Sequence, residues 1–282
     1  FGWSRVVPFA EEATATSAPS VVPPVTEVAG GTSLLGWVPR ARRSPRAPPG
    51  TTLGLARRPR WGDTVLYQLT KIVTGPFLRL LWRPRIEGAE HVPATGPAIL
   101  ASNHLSIADS TFLPLMLPRK VSFVAKAEYF TGNPLTAMYM RATGQIAVDR
   151  ESASAARSVL EAAAELLRRG ELFGIYPEGT RSPDGRLYKG KIGVAWLALT
   201  TGAPVLPVAM IGTDRVLPPG RAIPRLGRIG VRIGEPMYFT GDPDDARTRR
   251  DVTDQVMQAI QKLSGQEYVP MYASSVKARM QQ

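Results

Sequence analysis

The sequence predicts an α/β domain with a largely parallel sheet, and three observations point there. From Arg83 onward, short apolar runs alternate with stretches of helical periodicity. The clearest of those helices, Ser152 to Arg169, is Ala-rich, sets Val159, Leu160, Ala163, Leu166 and Leu167 on one side, and stops at Gly170. Polar and charged residues gather where the apolar runs end, the edge at which such sheets carry their functional groups. A hydrophobic fraction of 44% over 282 residues is enough for a sizeable core.

Residues 1–60 come first and read as a disordered tail. Pro, Ala, Ser, Thr and Gly dominate, the apolar residues show no period, and Arg40 to Arg60 is a Pro-rich basic run. Such a composition buries too little apolar surface to offset its ordering entropy. It also lacks the order of basic, long apolar and small-residue regions that marks a secretory leader.

Residues 61–82 are predicted helical. Val65, Leu66, Leu69, Ile72, Val73, Leu80 and Leu81 recur at three- and four-residue spacing, and Gly75-Pro76 is expected to divide the run into two short helices. Trp61, Trp82 and flanking arginines suit a helix pair lying on a membrane surface. A core-facing helix explains the apolar period equally well.

Strands are expected near 97–102, 121–125, 145–149, 171–176, 204–211 and 228–234. Helices are expected near 108–117, 134–142, 152–169, 191–201 and 244–264, with residues 266–282 a tail that packs back as strand or helix. The charge-free stretch Ile192 to Thr213 is long enough to span a bilayer, but Thr200-Thr201-Gly202-Ala203-Pro204 divides it into helix and strand.

Composition narrows the chemistry. With no cysteine there is no disulfide, thiolate nucleophile or Cys-ligated metal, and two histidines make a His-based metal site an unpromising reading. The net charge is +12, of which residues 1–60 carry +5, from eight arginines against Glu11, Glu12 and Glu27. A basic balance of this size suits nucleic acid, anionic lipid or a phosphorylated substrate without choosing among them.

Of the two histidines, His91 in Glu90-His91-Val92-Pro93 is expected to be exposed, which leaves His104 as the candidate base. It follows the buried run Ala98 to Ala101, and Asp109 stands five positions later at a predicted helix start. That spacing can bring imidazole and carboxylate onto one face, where the acid fixes the tautomer of the base. A capping Asp beside a structural His fits the same spacing.

Three further loops follow predicted strands: Asp149-Arg150; Pro177-Glu178-Gly179-Thr180-Arg181-Ser182; and Asp184 to Lys191. Lys126 follows the strand Val121 to Ala125. Lys126, Arg150, Arg181 and Lys189 at strand ends can converge on one phosphate, and Gly179 lets the backbone approach a ligand closely. Taken singly, each cation reads as a solubilising surface group.

Four blocks, Asn103 to Asp109, Gly144 to Arg150, Pro177 to Ser182 and Val205-Leu206-Pro207-Val208, resemble in order the four blocks of the glycerolipid acyltransferases, and most closely the bacterial 1-acyl-sn-glycerol-3-phosphate acyltransferases. The likeness runs over about residues 61–265. It implies a single acyltransferase domain over 83–265, a mostly parallel twisted sheet flanked by helices, behind N-terminal amphipathic helices on the membrane. It implies His104 as general base oriented by Asp109, and Lys126, Arg150, Glu178, Gly179, Thr180 and Arg181 around the acceptor phosphate. Pro207 would lie on the acyl side. The implied substrates are lysophosphatidic acid and an acyl thioester of CoA or acyl-carrier protein. No metal or cofactor is expected, and the enzyme would sit peripherally on the cytoplasmic face of the cell membrane.

Other readings make different demands. The acceptor could be glycerol-3-phosphate, another lysophospholipid or a glycolipid. A covalent hydrolase lacks its Gly-x-Ser-x-Gly elbow here, and a nucleic-acid module lacks a binding motif. A non-catalytic membrane scaffold would have no use for His104.

Overall fold

The computed structural model describes residues 61–126, 128–134, 137–138, 140, 145–148, 153–218 and 223–280, all within one unit spanning Thr52–Gln282. The expectations for residues 1–60 and for Arg150, and part of the helix expected near 134–142, fall outside them. In chain order the first elements are helix α1 (Trp61–Trp82), strands β1 (Arg85–Glu87) and β2 (Ala98–Ser102), α2 (Asp109–Met116), β3 (Val121–Ser122) and β4 (Val124–Lys126). Next come α3 (Glu128–Thr131), β5 (Ile146–Val148), α4 (Ala153–Arg168), β6 (Leu172–Ile175), β7 (Leu187–Tyr188) and α5 (Gly193–Thr201). The chain continues with β8 (Val205–Ile211), α6 (Thr213–Val216), β9 (Gly230–Ile233), α7 (Ala246–Ser264), β10 (Tyr268–Val269) and α8 (Ala273–Met280).

The main sheet has the order β1-β9-β8-β2-β6-β3, and only β8 and β9 run antiparallel. Its centre is β2 between β6 and β8, with Ile99 paired to both Phe173 and Val205. Both strands flanking β2 lie parallel to it, and every residue of β2 is buried, as a strand covered on two faces requires. Alternation sorts the side chains: Ala98, Leu100, Leu206, Val208 and Met210 face one cluster with Phe112 and Leu113 of α2. Ile99, Ala101 and Val205 face the other, with Leu167 of α4, Leu197 of α5 and Val256 of α7. Two short parallel pairs lie apart from this sheet, β4 with β5 and β10 with β7.

Pro207 stands inside the central strand β8, where a residue without N–H is unusual. The ladder to β9 ends at Val208 opposite Ile233, and pairing resumes only at Val205 opposite Met237. Pro207 falls in this irregular gap; its carbonyl accepts from Gly234 N–H at 2.8 Å and its ring packs on Gly234.

Three expectations need correction. Residues 61–82 form one helix with Pro76 inside it. Pro76 and Ile72 are both exposed, so the Ile72 carbonyl that loses its helical partner lies on the solvent side, where water satisfies it. Trp82 is buried: its ring meets Phe112 edge-on at 5.9 Å and its Nε1 donates to the Arg225 carbonyl at 2.7 Å. His91 is half-buried and Nδ1 lies 2.9 Å from the carbonyl of Ile233.

The inner face of α1 docks on α2, through Tyr67 OH to the Pro114 carbonyl at 3.2 Å and Lys71 Nζ to the Leu117 carbonyl. The opposite face holds Leu69, Ile72, Val73, Phe77 and Leu80, each at least half exposed. Among the described residues no helix is long and apolar enough to cross a membrane.

Candidate active site

The turn after β2 is shaped by two buried side chains. Asn103 is bonded to β8 through both ends of its amide: Oδ1 accepts from Met210 N–H at 2.7 Å, and Nδ2 donates to the Met210 carbonyl at 3.0 Å. Its Nδ2 also donates to Gln266 Oε1 at 2.7 Å, and Gln266 Nε2 donates onward to the Gly185 carbonyl at 2.6 Å. Asp109, fully buried, begins α2, where the helix dipole favours a negative charge. Its Oδ2 accepts from the N–H groups of Leu105 at 2.7 Å and Ser106 at 2.8 Å, and from His104 Nδ1 at 2.9 Å. An ionised carboxylate only accepts, so Nδ1 carries the proton and Nε2 keeps the lone pair.

Aromatic rings hold the imidazole from the side. Tyr176 stacks on His104 at 3.9 Å between centroids, and Phe123 stacks on Tyr176 at 5.4 Å. The Tyr176 hydroxyl shares a 2.8 Å hydrogen bond with Ser110. Burial, reinforced by the Asp109 charge, pushes the Tyr176 phenol well above the usual tyrosine range, so it stays neutral. Behind the stack, β6 makes room for Phe123 with Gly174: a Cβ there would stand 2.2 Å from the ring. Gly174→Ala is therefore expected to cost about 1–3 kcal/mol by overpacking. Because Phe123 then shifts against Tyr176, turnover should fall beyond what unfolding explains; denaturant melts and kcat measured on folded protein check both.

The loop after β6 is tied to the same turn. Glu178, almost wholly buried, accepts from His104 N–H with Oε1 at 3.1 Å and from Tyr188 N–H with Oε2 at 3.0 Å. Ser182 N–H donates to the His104 carbonyl at 2.7 Å, so this one residue is gripped at both backbone groups by the loop. Burial, with the Asp109 charge adding, pushes the Glu178 carboxyl up to about 7 against the pull of the two N–H groups. The folded state thus holds a proton that the unfolded chain releases above 4.5, and stability falls as pH rises from about 4.5 to about 7. Glu178→Gln cannot titrate, so the wild-type advantage over it should shrink by on the order of 3 kcal/mol across that window. Urea melts of both proteins at pH 5 and pH 8 measure this.

Gly179 takes φ +71°, the left-handed region, and the Lys191 side chain lies over it, 2.9 Å from where a Cβ would be. Thr180 Oγ1 accepts from Lys277 Nζ at 2.9 Å.

Of the residues singled out in the sequence, His104, Asp109, Glu178, Gly179, Thr180 and Arg181 lie on these two interlaced loops. Lys126 closes β4 in the separate β4–β5 pair, and Lys189 turns its ammonium over the Tyr272 ring at 5.7 Å. Pro207 lies within β8, packed on Gly234. Tyr176, Gln266 and Lys277 were not singled out. Tyr176 stands two residues before Glu178 in a motif already in view, whereas nothing local marks Gln266 or Lys277. Among the described residues no three His, Cys, Asp or Glu side chains gather as metal ligands.

A buried carboxylate thus fixes a mostly buried histidine beside the loop that carries Thr180 and Arg181. The Acyltransferase family model matches residues 83–211. The chain is 33% identical over 165 residues to a chloroplastic 1-acyl-sn-glycerol-3-phosphate acyltransferase of Arabidopsis thaliana, covering 58% of this chain and 45% of the relative. It is 32% identical over 173 residues to the alpha form of the same enzyme from Mus musculus, covering 60% of each. The crystal structure of the 1-acyl-sn-glycerophosphate (LPA) acyltransferase PlsC from Thermotoga maritima superposes with a TM-score of 0.57 at 30% identity, covering 71% of this chain and 79% of that one. The chain belongs to the 1-acyl-sn-glycerol-3-phosphate acyltransferase family. It spans 45–60% of the length of these two curated relatives. They are plant and mammalian proteins, whereas the solved structure is from Thermotoga maritima, so the comparisons do not single out the bacterial members that the sequence blocks suggested.

Proposed function

We propose that the chain transfers an acyl group from the thioester of acyl-CoA or acyl-carrier protein to the free hydroxyl of 1-acyl-sn-glycerol-3-phosphate. The products are phosphatidate and a free thiol. His104 Nε2 takes the hydroxyl proton as the oxygen attacks the thioester carbonyl, the C–S bond breaks, and the thiolate leaves to be protonated. Asp109 holds the imidazole in the required tautomer and stabilises the imidazolium that forms. Arg181, with Thr180 and the Gly179 backbone, holds the acceptor phosphate and so brings the hydroxyl to the base.

The observation that carries this reading is the His104–Asp109 hydrogen bond at 2.9 Å, which puts the proton of a neutral imidazole on Nδ1 and its lone pair on Nε2. The exposed apolar face of α1 further supports a protein that lies in a membrane interface with basic flanks toward anionic headgroups, as a lipid acceptor demands. The full chain, incubated with lysophosphatidate and acyl-CoA in mixed micelles, should release free thiol and form phosphatidate in equal amounts. Acyl-carrier-protein thioesters are the second donor to try. No phosphatidate from either donor would overturn the proposal.

A further inference from the structure

The segment beyond α7 is built into the site. Gln266 joins Asn103 to Gly185, β10 pairs with β7, and Leu187 and Lys189 donate backbone N–H groups to the carbonyls of Glu267 and Met271, each at 2.9 Å. The segment ends in α8, which carries Lys277 to the Glu178–Arg181 loop.

Lys277 is half-buried, and one of its three N–H donors goes to Thr180 Oγ1. Among the described residues it makes no ion pair with a carboxylate. Glu178 is the nearby acid, and both of its oxygens already accept backbone N–H groups. Burial first, and then the charge of Arg181, pull the Lys277 ammonium down from the usual lysine range against the weaker opposing pull of Glu178. Two cations held together with no carboxylate paired to the lysine is an arrangement that an anion between them would relieve.

Building on the proposed function, we propose that Lys277 is a ligand of the acceptor phosphate beside Arg181. Through it, α8 makes the site select a phosphate monoester over a diester. A monoester carries about −1.5 to −2 at neutral pH, and a second cation recognises the additional charge. A diester carries a single charge and leaves one cation unmatched.

The test compares wild type, Lys277→Gln and Lys277→Arg on lysophosphatidate and on a lysophosphodiester, 1-acyl-glycerophosphoglycerol. Lys277→Gln should raise KM for lysophosphatidate about tenfold or more, the loss expected for one charged hydrogen bond, with kcat and the melting temperature little changed. The diester should be affected less than threefold, and Lys277→Arg should recover most of the loss. Unchanged KM in Lys277→Gln, or equal losses on both acceptors with a lower melting temperature, would overturn the inference and make Lys277 a structural strut. Inorganic phosphate provides a readout independent of turnover: at matched ionic strength it should raise the melting temperature of wild type and not of Lys277→Gln. If wild type forms no phosphatidate, the proposed function fails; an equal phosphate response in the two proteins, or none in either, removes the Lys277 assignment by itself.

Discussion

His104→Ala is expected to lower phosphatidate formation by about 10²–10⁴-fold, the usual worth of a positioned general base. A lysolipid hydroxyl is a poor nucleophile while it keeps its proton, and Nε2 is the group proposed to take it. Folding should be spared. The imidazole is 16% exposed, and its loss frees only one of the three hydrogen bonds that Asp109 Oδ2 accepts. The loss should fall on kcat with KM for lysophosphatidate nearly unchanged, since other residues are proposed to hold the acceptor phosphate. Steady-state kinetics on protein with a wild-type melting curve would decide it, and turnover above a tenth of wild type would leave His104 a structural role only.

Asp109 offers a second large effect with a different signature. Asp109→Ala removes the acceptor for two backbone N–H groups and for His104 Nδ1 at once, in a place water does not reach. Each stranded buried donor costs about 1–3 kcal/mol, so a stability loss of about 3 kcal/mol or more is expected, together with the loss of activity. Asp109→Asn keeps an oxygen for the turn and should lose only about 1 kcal/mol. It should still lower kcat at least about 10²-fold, because a neutral amide does not stabilise an imidazolium. Denaturant melts and kcat on the two variants separate the turn-shaping role from the catalytic one; equal stability losses in both would show the charge, not the geometry, to be what the turn needs.

The parts of this site that the sequence made legible are those whose geometry is local. His104 and Asp109 are joined by one turn, so their spacing was enough to bring them together. Glu178 to Arg181 form a single loop at a strand end and could be read as a block. The strand and helix alternation was legible for the same reason, since β2, β6 and β8 are short runs whose apolar character shows directly. Contacts made across the chain left no local trace. The segment after Ser264, with Lys277 and Arg279, reads only as a tail that packs back as strand or helix, and the reach of helix Ala273–Met280 to Thr180 depends on the pairing of β10 with β7. Pro76 was misread because a proline usually breaks a buried helix. Here the lost hydrogen bond lies on an exposed face, where water can take the place of the missing N–H. Which face of α1 is exposed depends on α2, which the helix period cannot name.

The lacing of Asn103 to Gln266, and of β7 to β10, also sets an order in time. A ribosome delivers β2, β6 and β8 well before residues 266–280. The nascent sheet can therefore close while Asn103 Nδ2 still lacks Gln266 and the β7 edge is still open. Until the last described strand arrives, that edge and the half-formed binding loop stand unprotected. Completion of the acid–base pair precedes completion of the loop framework that surrounds it. The framework around the Glu178–Arg181 loop is thus completed only after residues 266–280 have been made.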